Sequence, residues 1–177
     1  MKHRLQYFVK WFILRVCYGK HFPKRCLDLY VGNIIGNWFF QKILRVNSHI
    51  KFPLHYTSQI NKNGELKIHD SVKGILASAP GVYIEKMNGL EIGEGTLIAP
   101  GVKIISSSHD FNDFTDTKES PIRIGKHCWL SANVVILPNV NLGDNTIVAA
   151  GAVVNKSFDG NCIIGGVPAK IIKQLNK

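Results

Sequence analysis

The chain has 177 residues, a formal charge of +10 and four cysteines. That length suffices for one domain with a short extension, and no linker rich in Pro, Ser or Gly divides it. Cys17, Cys26, Cys128 and Cys162 form no metal-type pair and lack the dense spacing of a secreted disulfide scaffold, so they read as reduced thiols of a cytoplasmic protein.

Residues 1–55 read as a basic, aromatic helical segment. Through residue 51 there are ten Lys and Arg against Asp28 alone, 10 − 1 = +9, and the remainder is nearly neutral. Leu5, Phe8, Val9, Phe12 and Val16 fall on one helical face, and Val31, Ile34, Ile35 and Trp38 suggest a second helix broken up by Gly32 and Gly36. Lys10 and Arg15 keep every apolar run well short of the roughly 18–20 residues of a spanning helix, and the segment is a poor signal peptide. Two readings stand side by side. Residues 1–45 can lie peripherally on a membrane, here the inner leaflet of the cytoplasmic membrane, or the helices can cap the open end of a solenoid. Nucleic acid is not expected as a partner, since no stacking platform or recognition motif accompanies the charge.

Residues 56–177 read as the main domain. Ile68 with Val72 and Leu76 with Val82 suggest a first irregular coil, and the stretch from Glu85 to Leu90 interrupts the phase. From Ile92 an aliphatic residue recurs every six positions, at Ile92, Ile98 and Ile104 and again at Ile124, Leu130, Ile136, Leu142, Val148 and Val154. Four places after each comes a second inward candidate such as Cys128, Val134 or Val140. A step of six fits neither helix nor ordinary strand; it fits a solenoid that turns a corner every six residues and closes after about three sides. Cys128 then occupies a small inward position and reads as core filler rather than nucleophile.

The hexads, with Ser108-His109-Asp110-Phe111, His127-Cys128-Trp129-Leu130 and Gly166-Val167-Pro168-Ala169-Lys170, resemble the hexapeptide-repeat acyltransferases, and among them the sugar and xenobiotic O-acetyltransferases. The resemblance implies a left-handed parallel β-helix, acetyl-CoA as co-substrate, and a homotrimer with its sites between subunits. It thins before the regular coils. Where galactoside and maltose acetyltransferases place a sugar-contacting Asn and Asp, this chain has Ala79 and Met87, so those contacts do not carry over.

Between residues 106 and 121 the hexads stop, and an excursion of that length from a solenoid is costly to order without a task. His109 stands at its root. A neutral imidazole has a pKa suited to taking the proton of an attacking hydroxyl, and the resemblance implies this role for His109. Asp110 reads as loop-stabilising, while a backbone carbonyl or one of Asp113, Asp116 and Glu119 is available to orient the ring. The resemblance further implies that Trp129 walls the acetyl-CoA channel and that Ala150 and Asn155 line the pantetheine. It places Gly166, Val167 and Pro168 in a closing loop near the adenine, with Lys156, Lys170 and Lys173 as phosphate candidates. At Ala132, where related enzymes carry a serine, only a backbone N–H can serve the oxyanion.

These readings converge on an acetyl-CoA-dependent O-acetyltransferase acting on a saccharide hydroxyl, in surface-polysaccharide synthesis, with no metal. The alternatives within acyl transfer are an amine on a nucleotide sugar or an antibiotic hydroxyl. A zinc hydrase needs three converging histidines and finds only His109 and His127 in the regular coils; a trimeric scaffold without catalysis is the remaining alternative.

Overall fold

The computed structural model describes residues 2–19, 22, 24–109, 117–118 and 121–175, and of these only the backbone of 2–5, 24–25, 109 and 117–118. Three parallel sheets form the sides of a prism. The first face stacks Gln59–Ile60, Tyr83–Glu85, Lys103–Ile105, Val135–Ile136 and Val153–Val154. The second stacks Leu97–Ile98, Trp129–Leu130, Thr146–Val148 and Cys162–Gly165, and is closed by the antiparallel strand Lys170–Gln174. The third stacks Leu66–Ile68, Leu90–Ile92, Ile122–Ile124 and Asn141–Leu142, with a last bridge from Leu142 to Phe158.

The register explains the period. Leu130 pairs with Val148, Ile136 with Val154 and Ile124 with Leu142, each 18 residues on, so one coil is three sides of six. Ile98 pairs with Leu130, 32 residues on instead of 18, so 14 residues are inserted into that coil without shifting its phase. The aliphatic hexad positions are buried in one continuous core, each contributing roughly 1.5–3 kcal/mol. Inward hydroxyls are satisfied locally, Thr96 Oγ1 donating to the Gly125 carbonyl and Thr146 Oγ1 to that of Gly143, both at 2.7 Å. Two corners show why small residues recur there. A Cβ at Gly101 (φ 73°) would lie 2.2 Å from Asn133 Oδ1, and one at Gly95 (φ 71°) 2.4 Å from His127 Nδ1.

The first coil differs from the rest. In place of a second-face strand it has a helix, Asp70–Leu76, whose N-cap His69 accepts a hydrogen bond from the Ser71 amide and whose Val72, Ile75 and Leu76 turn into the prism. Ahead of it, helix α1 spans Lys2–Tyr18 and helix α2 Val31–Trp38. α2 runs through Gly32 and Gly36 into a π turn over Phe39–Ile43, so neither glycine breaks it. The cost of about 1 kcal/mol per helical glycine is offset by what the helix fixes. Asn37 donates to the Ala77 carbonyl (2.9 Å) and accepts from the Tyr56 amide, and Gln41 donates to the carbonyls of Ile50 and Phe52. Beyond it, Asn47 accepts from the Ile60 amide and donates to the Ser58 carbonyl, doing for the edge strand what a further coil would do. The capping reading of the N-terminal segment therefore describes α2 and its continuation.

α1 is different. Leu14 and Tyr18 join Cys26, Leu29, Ile34 and Ala77 in a second small core, whereas Phe8, Val9, Phe12 and Val16, which share one helical face, are exposed. The side chain of Leu5 lies outside the described residues. All four thiols are free, and burial pushes that of Cys128 up, its Sγ donating to the Gly143 carbonyl at 3.3 Å.

Candidate active site

The insertion leaves the prism at the edge between the first and third faces, after Lys103–Ile105, and returns at Ile122–Ile124. Its root is a polar clamp built by Glu85. One carboxylate oxygen accepts from the amides of Ser106 (3.0 Å) and Ser107 (2.8 Å) and from the Ser106 hydroxyl (3.3 Å); the other accepts from Asn61 Nδ2 (3.1 Å) and the Met87 amide. Ser106 is wholly buried, and Asn88 returns to it twice, its amide to the Ser106 hydroxyl and its side chain to the Ser106 carbonyl. Burial would raise the Glu85 carboxyl, but the amides of Met87, Ser107 and Ser106 outweigh it and hold the group below the usual carboxylate range.

Beside it, Lys86 is 4% exposed and donates to the carbonyls of Lys62 (3.0 Å), Asn63 (2.9 Å) and Gly64 (2.6 Å). Desolvation lowers its pKa and Glu85 pulls the other way. Sequence reasoning missed Glu85 and Lys86 as site residues. Their one signal was the interruption of the hexads just after Ile84, where two charged residues stand beside an inward position.

Directly above this clamp, Ser108–His109 pairs antiparallel with Thr117–Lys118, Ser108 with Lys118 and His109 with Thr117. The backbone of His109 is thus fixed at the base of a hairpin. Its ring, and all of Asp110, Asp113, Asp116 and Glu119, lie outside the described residues.

The edge between the second and first faces is built in the opposite way. Ala132, Ala150 and the loop Gly166-Val167-Pro168 lie one above another along it. The Gly151 amide donates to the Ala132 carbonyl (2.9 Å), and the Val153 amide to the Gly166 carbonyl (3.0 Å). A Cβ at Gly151 would meet nothing within 4 Å, while one at Gly165 would lie 2.9 Å from the Ala149 Cβ. Lys170 pairs with Gly165 beside this edge, and Lys173 pairs with Ile163 farther along the same exposed strand.

Asn155 and Lys156 sit elsewhere. They follow Val153–Val154 at the far end of the first face, on the loop-bearing edge, where Lys156 Nζ lies 5.6 Å from the Phe158 ring centroid. The three lysines are therefore not brought together in one chain. Trp129 lies on the outside of the second face, 47% exposed, in register with Leu97 below and Ile147 above. In a three-sided coil the second face lies opposite the edge from which His109 emerges, so the two residues are on opposite sides of one chain.

A three-faced parallel prism with this repeat and a histidine at the root of its insertion has the pattern of a hexapeptide transferase, and the family "Bacterial transferase hexapeptide (six repeats)" matches residues 121–156. The lipopolysaccharide biosynthesis O-acetyl transferase WbbJ of Escherichia coli K12, a provisional designation, is 30% identical over 156 residues, 77% of this chain and 78% of that one. Galactoside O-acetyltransferase of the same organism is 35% identical over 89 residues, 48% of this chain. The chain spans only 44% of the length of that relative. Among solved structures, the hexapeptide-repeat acetyltransferase VCA0836 of Vibrio cholerae, in complex with acetyl-CoA, superposes with a TM-score of 0.52 at 26% identity, covering 70% of this chain and 63% of that one. The chain belongs to the hexapeptide-repeat acetyltransferase family.

Proposed function

We propose that the protein transfers acetyl from acetyl-CoA to a hydroxyl of a saccharide, in the making of a surface polysaccharide. The observation that carries the reading is the break in the hexads between residues 106 and 121, whose root the Glu85 clamp holds so that His109 leaves the prism at a fixed place. The imidazole takes the proton of the acceptor hydroxyl as that oxygen attacks the thioester carbon. The tetrahedral intermediate then expels the CoA thiolate, which recovers the proton from the imidazolium, and no covalent enzyme intermediate forms. Ala132 is the candidate for a backbone N–H aimed at the oxyanion. Ala150, Asn155 and the loop Gly166-Val167-Pro168 are the candidates for the CoA arm, with Lys156, Lys170 and Lys173 for its phosphates.

The coil is left-handed in this reading, and the working unit is a homotrimer. Support for an assembly is geometric: His109 and Trp129 lie on opposite sides of one prism, and the small-residue edge and Lys156 lie at the two ends of its first face, so a site using all of them needs two copies. The acceptor is a saccharide because the named relatives include an enzyme of galactosides and one of lipopolysaccharide synthesis.

The test is release of free thiol from acetyl-CoA in the presence of cell-envelope saccharide fractions and, separately, nucleotide sugars. An acceptor-dependent release with an alkali-labile ester product supports the reading. An alkali-stable amide product would replace the hydroxyl by an amine, and failure to bind acetyl-CoA at all would overturn the enzyme reading.

A further inference from the structure

The helical unit carries more apolar surface than capping uses. Asn37, Gln41 and Asn47 cover the first coil, and the inner side of α1 is spent on Leu14, Tyr18 and a hydrogen bond from Lys10 Nζ to the Leu27 carbonyl (3.2 Å). On its outer side Tyr7, Phe8, Trp11, Phe12 and Val16 are between 41% and 68% exposed. With Arg15 these residues sweep about half of the helix circumference at roughly 100° per residue. Phe8 stacks on Trp11 with centroids 6.2 Å apart, and the Arg15 guanidinium lies 5.4 Å over the Trp11 ring. An apolar face of this size marks a contact.

Charge selects the occupant. Residues 1–51 carry +9, and their one carboxylate, Asp28, already faces the Tyr7 hydroxyl at 3.4 Å. A second copy would bring the same charge to the same face and be repelled. A surface that is negative outside and hydrocarbon beneath suits both the cations and the rings. Among the described residues no helix is long and apolar enough to cross a membrane, so contact would be in the plane of the surface.

We propose that the outer face of α1 docks on an anionic lipid bilayer. Phe8, Trp11 and Phe12 enter the boundary between headgroups and acyl chains, and Arg15 extends its stem over the ring of Trp11 to reach lipid phosphates. The inference is independent of the acetyl-transfer reading and needs no turnover to test.

Full-length protein would be sedimented with vesicles of phosphatidylcholine alone and with vesicles containing about one-third phosphatidylglycerol. Binding to the anionic vesicles at least ~10-fold stronger, and weakened by salt, is expected. Phe8→Asp with Phe12→Asp, at two exposed positions, should abolish it while the circular dichroism spectrum stays unchanged. As a measurement free of folding effects, wild-type fluorescence should shift to the blue on adding anionic vesicles, and Trp11→Phe should lose that shift. No binding to anionic vesicles, or binding equal in the double variant, overturns the proposal. So does a loss of oligomer mass in the double variant without any vesicle binding by the wild type, which would make this face a subunit contact.

Discussion

The two edges of the first face lie one strand apart, yet they are built from opposite materials. Along the loop-bearing edge Glu85 gathers five hydrogen bonds and Lys86 gathers three carbonyls, so charged side chains are sunk into the coil to hold a departing chain. Along the other edge Ala132, Ala150 and Gly151 carry almost no side chain, and the ladder of backbone bonds from Ala132 to Gly166 runs close to the surface. A clamp of buried charges fixes where one side chain will stand. An edge stripped of side chains instead leaves backbone groups within reach of a long, amide-rich ligand. Mutations at the two edges should therefore fail differently, the first in turnover and the second in binding.

The largest expected effect is at the tip of the clamp. His109→Ala should lower kcat about 10²–10⁴-fold, the usual worth of a general base, with acetyl-CoA affinity unchanged by calorimetry. Next comes the clamp itself. Glu85→Ala removes the acceptor of the Ser107 and Met87 amides and of Asn61 Nδ2, while the Ser106 amide keeps the Glu85 carbonyl, a loss of about 1–3 kcal/mol for hydrogen bonds to a charged group, read as a lower denaturation midpoint. Because the loop root loosens, kcat should fall while the KM for acetyl-CoA stays near wild type.

Glu85→Gln sharpens this test through pH. The native carboxyl lies below its unfolded value, so its contribution to stability is full above the usual carboxylate range and is lost as pH falls through the folded value. The wild type should show that acid-side loss, and Glu85→Gln should show a shallower one.

The same contrast says what could be read from residues alone. The hexads were legible because every coil repeats the same stacking, so Ile98, Leu130, Val148 and Ile164 end up in one buried column. The clamp was visible only as a disturbance, since the hydrogen bonds that the Ser106 and Ser107 amides donate to Glu85 cross 21 and 22 residues and leave no local pattern. Which side of α1 packs was not legible, for another reason. Periodicity tells which residues share a face, but both sides of this helix are apolar, and only the packing of Leu14 against Ile34 and Ala77 decides which side turns inward. The helix Asp70–Leu76 was hidden because Val72 and Leu76 serve equally well as inward residues of an irregular coil.

At the small-residue edge the expected losses are in binding and are smaller. Ala150→Leu places a branched side chain at an exposed corner, where it should leave folding intact and raise the KM for acetyl-CoA about tenfold, the equivalent of about 1.4 kcal/mol. The smallest effect belongs to Lys170→Glu with Lys173→Glu. Both residues are exposed, so their attraction to phosphate is screened, and the double variant should weaken CoA only about two- to fivefold. The informative quantity is the comparison with 3′-dephospho-CoA. Lysines that meet the 3′-phosphate should cost CoA more than its dephospho form, and the difference should shrink in high salt. Equal losses for the two ligands would place the phosphate elsewhere, and Lys156, on the opposite edge of a neighbouring copy, would become the residue to change next.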